Sequence, residues 1–202
     1  MDILAFSDIH CNTNCINKIL EESKNVDLVI GAGDFCNGRK RGLKEVIKKL
    51  SRINKPSVFV PGNCETFQEL NEECRNWKTA NILHGTGINL DGIEIFGVGG
   101  GIPVTPFGAW SYDFTEEQAR ELLLECPENC LLVTHSPPKG ILDVSSLGER
   151  LGSVAIREVL ETKKVKLAVC GHIHASSGQI ETFGETNVIN AGPYGIIYTM
   201  KE

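Results

Sequence analysis

A chain of 202 residues with 41% hydrophobic and 23% charged residues has the balance of a globular protein with one sizeable core, which excludes disordered and fibrous classes. Its formal net charge of −6 excludes general binding to a nucleic-acid backbone, which needs a clustered surplus of Lys and Arg. No apolar run approaches the roughly 20 residues of a bilayer span, and Met1–Phe6 is short and lacks a basic leader, so no membrane partner is expected and the expected compartment is the cytosol.

The elements follow in chain order. Ile3–Phe6 reads as a buried strand, and Ile16, Ile19 and Leu20 fall at helical spacing behind Asn12 or Thr13 as a cap. Asp27–Ile30 is the next strand, and Leu43, Val46, Ile47 and Leu50 mark one face of a second helix. Pro56 opens the strand Ser57–Val60. Ile82-Leu83, Gly87–Leu90 and Ile93–Val98 then lie close together, and Asp91-Gly92 between the last two predicts a hairpin. Gly99-Gly100-Gly101 lacks the Lys-Ser/Thr of a phosphate loop and reads as a flexible turn. Pro103–Phe114 is rich in aromatics and reads as a wall, a lid or a packed surface segment. A helix is expected from about Thr115 to Glu125, opened by the capping-box pattern Thr115-Glu116-Glu117-Gln118. The strand Leu131–Val133, a helix around Glu149–Glu161, the strand Leu167–Val169 and three β segments from Gly178 onward complete the chain. With no repeat or linker in between, this predicts one layered α/β domain over residues 1–202 with two sheets.

Five of the apolar runs are followed at once by residues able to bind metal. They are Ser7-Asp8-Ile9-His10, Gly31-Ala32-Gly33-Asp34, Pro61-Gly62-Asn63-Cys64-Glu65, Thr134-His135-Ser136-Pro137-Pro138 and Gly171-His172-Ile173-His174. In open α/β sheets the carboxyl ends of strands gather at one edge, where ligands bind. Carboxylate and amide oxygens with imidazole nitrogens suit Mn²⁺, Fe, Zn²⁺ or Ni²⁺, whereas a soft thiolate site would demand cysteines. Four of the five histidines fall in these clusters. The eight cysteines (Cys11, Cys15, Cys36, Cys64, Cys74, Cys126, Cys130 and Cys170) lack zinc-ribbon spacing and read as reduced thiols, although Cys126 and Cys130 are near enough in sequence to meet as ligands or as a disulfide.

The ordered set of Asp-x-His, Gly-Asp, Gly-Asn-Cys-Glu, a lone His and Gly-His-x-His resembles the calcineurin-like metallophosphoesterase superfamily, from Asp8 to the Asn190-Ala191-Gly192-Pro193 turn. The resemblance implies a two-sheet β-sandwich flanked by helices, with the metal site at the carboxyl ends of the strands. It implies one divalent cation held by Asp8, His10, Asp34 and His174, and a second held by Asp34, Asn63, His135 and His172. Mn²⁺ is the first expectation, and Asp34, Asn63 and His135 are the catalytic core. The implied reaction is attack of a metal-bridging hydroxide on phosphorus, between cations about 3.5–4 Å apart.

Two positions depart from the family pattern. Gly-Asn-His, whose histidine is thought to protonate the leaving group, is Gly-Asn-Cys64 here, and Cys11 stands where a glycine is usual. Small prokaryotic relatives with Gly-Asn-Cys resemble phosphodiesterases, so a phosphodiester is the expected substrate. Asn12 is expected to orient a ligand from behind, and Arg39, within Arg39-Lys40-Arg41, is placed to steer an anionic substrate. His84 reads as structural. The alternatives are a phosphomonoesterase, a nuclease, or a metal-binding scaffold without turnover. The expected partner is a small phosphate ester; nucleic acid enters only as a nucleotide-type substrate, and exposed β segments allow a homodimer.

Overall fold

The computed structural model describes residues 1–200. Two mixed sheets lie face to face with helices on both outer surfaces, as the alternation of apolar runs predicts. The first sheet contains β1 (Asp2–Phe6), β2 (Leu28–Gly31), β3 (Ser57–Phe59), β4 (Ala80–Ile82) and, at the far end of the chain, β11 (Ile196–Thr199). Its order is β11-β1-β2-β3-β4, parallel except for the antiparallel β11. The second sheet contains β5 (Thr86–Leu90), β6 (Ile93–Val98), β7 (Leu131–Thr134), β8 (Leu167–Cys170), β9 (Gln179–Phe183) and β10 (Thr186–Asn190), in the order β5-β6-β7-β8-β10-β9. Only its edge strands β5 and β9 run antiparallel to their neighbours.

Strand alternation sorts the core into three layers. Ile3, Ala5, Leu28, Ile30 and Val58 point inward and meet Ile95, Leu131, Val133, Leu167, Val169 and Ile189 of the other sheet. Leu4, Phe6, Val29 and Phe59 point outward. They pack under α1 (Thr13–Glu22), α2 (Leu43–Leu50) and α3 (Phe67–Cys74). The outer face of the second sheet, with Phe96, Val98, Leu132 and Ala168, is covered by α4 (Glu116–Leu123) and α5 (Val154–Thr162). Among the described residues no helix is long and apolar enough to cross a membrane.

Local signals set most boundaries. Asp91 and Gly92 both take positive φ, 50° and 86°, and Leu90 pairs with Ile93, so the hairpin closes on the two residues expected. Thr115 and Gln118 form the capping box of α4. Three expectations are corrected. The helix α3 has no counterpart in the sequence reading, although Thr66 and Glu69 form a capping box. The helix expected from Glu149 begins instead at Val154, because Asp143 ties Gly140, Arg150 and Gly152 into a turn and Ser153 caps α5. Gly99-Gly100-Gly101 is buried rather than flexible: a Cβ on Gly99 would lie 2.2 Å from the Pro61 carbonyl, and one on Gly100 2.6 Å from the Phe114 ring.

Candidate metal centre

The five polar clusters follow β1, β2, β3, β7 and β8, and those carboxyl ends lie along one edge of the sandwich. The loops after β1 and β2 are zipped together by backbone hydrogen bonds from Asp8, His10 and Cys11 to the carbonyls of Gly33, Asp34 and Phe35. Four of the predicted ligands take left-handed backbone: Asp8, His10, Asp34 and His172, with φ between 40° and 66°. Each such residue costs stability, so their concentration here marks a constrained functional loop set. Glycines lie directly beneath the ligands. A Cβ on Gly62 would sit 2.0 Å from Asp34 Oδ1, and one on Gly171 2.5 Å from Asp8 Oδ2.

The seven predicted side chains converge. Asp34 directs Oδ1 toward His135 Nε2 and Oδ2 toward His10 Nε2, each 3.6 Å away. Asp8 Oδ1 is 3.5 Å from His174 Nε2, which is 3.3 Å from His10 Nε2. His135 Nε2 is 3.3 Å from Asn63 Oδ1, and the His172 ring crosses that of His135 at a 4.9 Å centroid distance. Donor atoms of Asp8, His10 and His174 form one group within 4.8 Å of one another, and those of Asp8, Asp34 and His135 form another. Asp8, Asp34, Asn63 and His135 are buried, whereas His174 is exposed on the open side.

The tautomers are set by the backbone. His135 Nδ1 lies 2.8 Å from the Ala32 carbonyl and His10 Nδ1 3.1 Å from that of Cys36. A carbonyl only accepts, so both Nδ1 atoms carry a proton, and in the neutral ring Nε2 is left to present its lone pair. The Asn63 amide is oriented in the same way. Ser111 Oγ donates to Asp113, leaving its lone pairs to accept from Asn63 Nδ2 at 3.0 Å, so Asn63 Oδ1 faces the cluster. With the His135 ring neutral, as a metal ligand must be, its Nε2, Asn63 Oδ1 and Asp34 Oδ1 are all acceptors facing one another. That donor set fits a divalent cation.

Charges are distributed accordingly. Burial alone would raise Asp8, but its hydrogen bond to His174, the charge of His135 and the Ser7 hydroxyl bring its carboxyl down to about 2. Burial and the neighbouring His135 hold His172 near 4. His135 is opposed by burial yet raised by Asp34 and Asp8, and His174 is raised by its hydrogen bond to Asp8.

Glu65 was not singled out from the sequence. Its buried carboxylate accepts from the backbone N–H groups of Gly62 and Asp34, each at 2.8 Å, and so fastens the β2 loop to the β3 loop. Burial and the charge of Asp34 raise it to about 7. Its only sequence signal is its place directly after Asn63-Cys64.

The remaining predicted residues take different positions. Cys64 is buried, with Sγ within 4.8 Å of donor atoms of His10 and Asp34. Burial and the Asp34 charge push its thiol pKa far up, so it stays protonated. Asn12 uses its side-chain oxygen to cap α1, accepting from Asn14 and Cys15. Arg39 is exposed in a shallow cleft beside Asn63, Cys64 and Trp110. His84 packs between Phe67 and Phe114, accepts from Gly99 N–H and is lowered to about 4 by burial, which makes it a neutral structural residue. The Pro103–Phe114 segment both packs and lines the site. Tyr112 N–H donates to the Asn63 carbonyl, while the stacked rings of Phe107 and Trp110 border a cavity of about 550 Å³ that also contains His10, Asp34, Asn63, His172 and His174. A larger cleft of about 1200 Å³, by Lys163, Lys164 and Lys166, opens at the amino ends of the strands and contains none of the histidines. Cys126 and Cys130 are free thiols with Sγ atoms 3.6 Å apart.

The chain is 34% identical over 172 residues to the probable rhamnogalacturonate lyase C of Emericella nidulans, covering 76% of this chain and 16% of that protein. It is 31% identical over 153 residues to the human metallophosphoesterase domain-containing protein 1, covering 71% of this chain and 43% of that protein. The chain thus spans less than half the length of these two relatives. The fold is shared with TT1561 of Thermus thermophilus, with a TM-score of 0.75 at 20% identity, over 95% of this chain and 88% of that one. Residues 1–176 match the family described as calcineurin-like phosphoesterase, a span holding all seven converging side chains. A match of that length, on a two-sheet fold whose strand ends bring the expected metal-ligand types together, means that the chain belongs to the calcineurin-like phosphoesterase family.

Proposed function

We propose that the chain hydrolyses phosphate esters, phosphodiesters in preference to monoesters, at a centre of two divalent cations. Asp8, His10, Asp34 and His174 would hold one cation, and Asp34, Asn63, His135 and His172 the other. The observation that carries this reading is the meeting of Asn63 Oδ1 and Asp34 Oδ1 at His135 Nε2, 3.3 and 3.6 Å away, three atoms of metal-ligand type on two separate sheets. Bound there, divalent cations, Mn²⁺ first and Fe, Ni²⁺ or Zn²⁺ as alternatives, would supply a nucleophile from water near neutral pH and offset charge building on the phosphoryl oxygens.

The chain's own residues do the positioning. Asp34 faces His10 with one oxygen and His135 with the other, so it addresses both halves of the cluster. Glu65 and Gly62 hold its backbone and side chain in place. Phe107 and Trp110 offer a flat apolar border to the leaving group, and Arg39 stands in the adjoining cleft to attract an anion. Cys64, held as a thiol, is a poor proton donor, which favours esters whose leaving group departs without a strong acid.

The test compares an aryl phosphodiester with an aryl phosphomonoester, first with added Mn²⁺ and then with chelator. Diester turnover that chelator abolishes is the expected result; no turnover with any divalent metal would favour a binding scaffold, and cleavage of single-stranded nucleic acid a nuclease. Asp34→Asn is expected to lose metal content together with activity. The loss should exceed the roughly 10–100-fold typical of residues behind a metal ligand. Full activity in a metal-depleted Asp34→Asn protein would refute the mechanism.

A further inference from the structure

Resting on the reading that this cluster binds divalent cations, we infer that Cys64 is a conditional ligand, one that coordinates thiophilic cations and stays aside for oxygen-preferring ones. His10, Asp34 and Cys64 form a third group of potential ligands, with one nitrogen, one oxygen and one sulfur atom all within 4.8 Å of one another. The other two groups at the same edge contain only oxygen and nitrogen donors. The sulfur is enclosed, since Cys64 is 6% exposed and lies in the wall of the cavity with His10, Asp34 and Asn63.

Its surroundings prepare it for this role. Cys64 N–H donates to Asp34 Oδ1 at 2.9 Å, so the main chain that carries the thiol is fastened to a carboxylate of the group. The Cys36 carbonyl accepts from His10 Nδ1–H, so the neutral His10 ring offers its Nε2 lone pair. Gly62, two residues before Cys64, is pressed against Asp34 so closely that no larger residue fits. Two of the three donors are thus held in register by short backbone links, and the third is already oriented.

Ligand softness then separates the metals. Mn²⁺ and Mg²⁺ prefer oxygen donors, whereas Zn²⁺, Cd²⁺ and Co²⁺ accept thiolate readily. A thiophilic cation at His10 and Asp34 draws in the Cys64 sulfur: the S–H bond breaks, a metal–sulfur bond forms, and the proton leaves to solvent. With Mn²⁺ the thiol keeps its proton. The centre therefore holds two coordination states that differ by one ligand, and the identity of the cation selects between them.

Cobalt reports the difference directly. Metal-free full-length protein titrated with Co²⁺ is expected to show, besides the visible bands of bound cobalt, a near-ultraviolet sulfur-to-cobalt charge-transfer band. Cys64→Ser is expected to lose that band and keep the visible ones, whereas Cys11→Ser and Cys36→Ser retain it. In competition, wild type should favour Cd²⁺ over Mn²⁺ more strongly than Cys64→Ser does. Visible bands without charge transfer in wild type, or charge transfer that survives in Cys64→Ser, would overturn the thiolate assignment and leave the divalent-cation reading standing. Failure to bind cobalt at all would overturn both. Circular dichroism of each variant separates a lost ligand from a lost fold.

Discussion

At the scale of the residue, Cys64 decides what kind of leaving group the proposed reaction tolerates. A buried thiol beside the Asp34 carboxylate releases its proton reluctantly, whereas an imidazole has an ordinary pKa close to neutrality, of about 6.5. Cys64→His is therefore expected to raise turnover on substrates with poor leaving groups while changing little for activated aryl esters. Equal rates for both substrate classes in the two proteins would mean that this position does not limit the reaction. His84 is the opposite case, a histidine whose role is packing. Its folded pKa of about 4 lies below the ordinary 6.5, so the unfolded chain binds a proton more readily between these values. Its contribution to stability is complete above pH 6.5 and is lost as pH falls toward 4. His84→Phe keeps the contacts with Phe67 and Phe114 and is expected to shrink the stability loss over that window by roughly 1–2 kcal/mol, after discounting for partial exposure. Urea unfolding of both proteins at the two ends of the window measures it, and identical pH slopes would refute it.

At the scale of the element, helix ends are set by side chains that the sequence displays in different degrees. The capping boxes at Thr66 and Thr115 are local patterns that can be read directly. The start of α5 is only partly local, since Glu116 acts there besides the Ser153 cap. Glu116, in the first turn of α4, accepts from Ser153 Oγ and from the N–H groups of Val154 and Ala155, so one helix supplies the anion for the N-terminus of the other. Arg120 and Glu158 join the same two helices further along. Glu116→Ala is expected to cost about 1–2 kcal/mol, read as a lowered denaturant midpoint at unchanged slope. Replacing the more exposed Glu117, whose Arg120 contact is 3.9 Å long, should change the midpoint far less.

At the scale of the whole molecule, the candidate ligands run from Asp8 to His174 and meet only when both sheets are formed. An unfolded chain offers no such cluster, so a cation that occupies it stabilises the folded state by linkage. The effect is about 2.7 kcal/mol at a hundredfold excess over Kd. Thermal unfolding is expected to shift upward with Mn²⁺ and back down with chelator; a midpoint indifferent to both would argue against a cation site at this edge. The sequence alone determined the sheets, most of the helices, the Asp91-Gly92 hairpin and the placement of seven metal-type side chains after five strands. These follow from hydrophobic period and turn chemistry, which act over a few residues, and from the general rule that parallel strands end at one edge. Only the tertiary structure decided which partner each polar group takes. The lone pair of His135 is aimed by the Ala32 carbonyl, the Asn63 amide by Ser111, the Asp34 loop by Glu65, and Asn12 is drawn to its own helix rather than to the site. The long-range bonds join positions 31 to 103 residues apart, and hydrogen bonds at that separation exist only once the core has brought their backbones together.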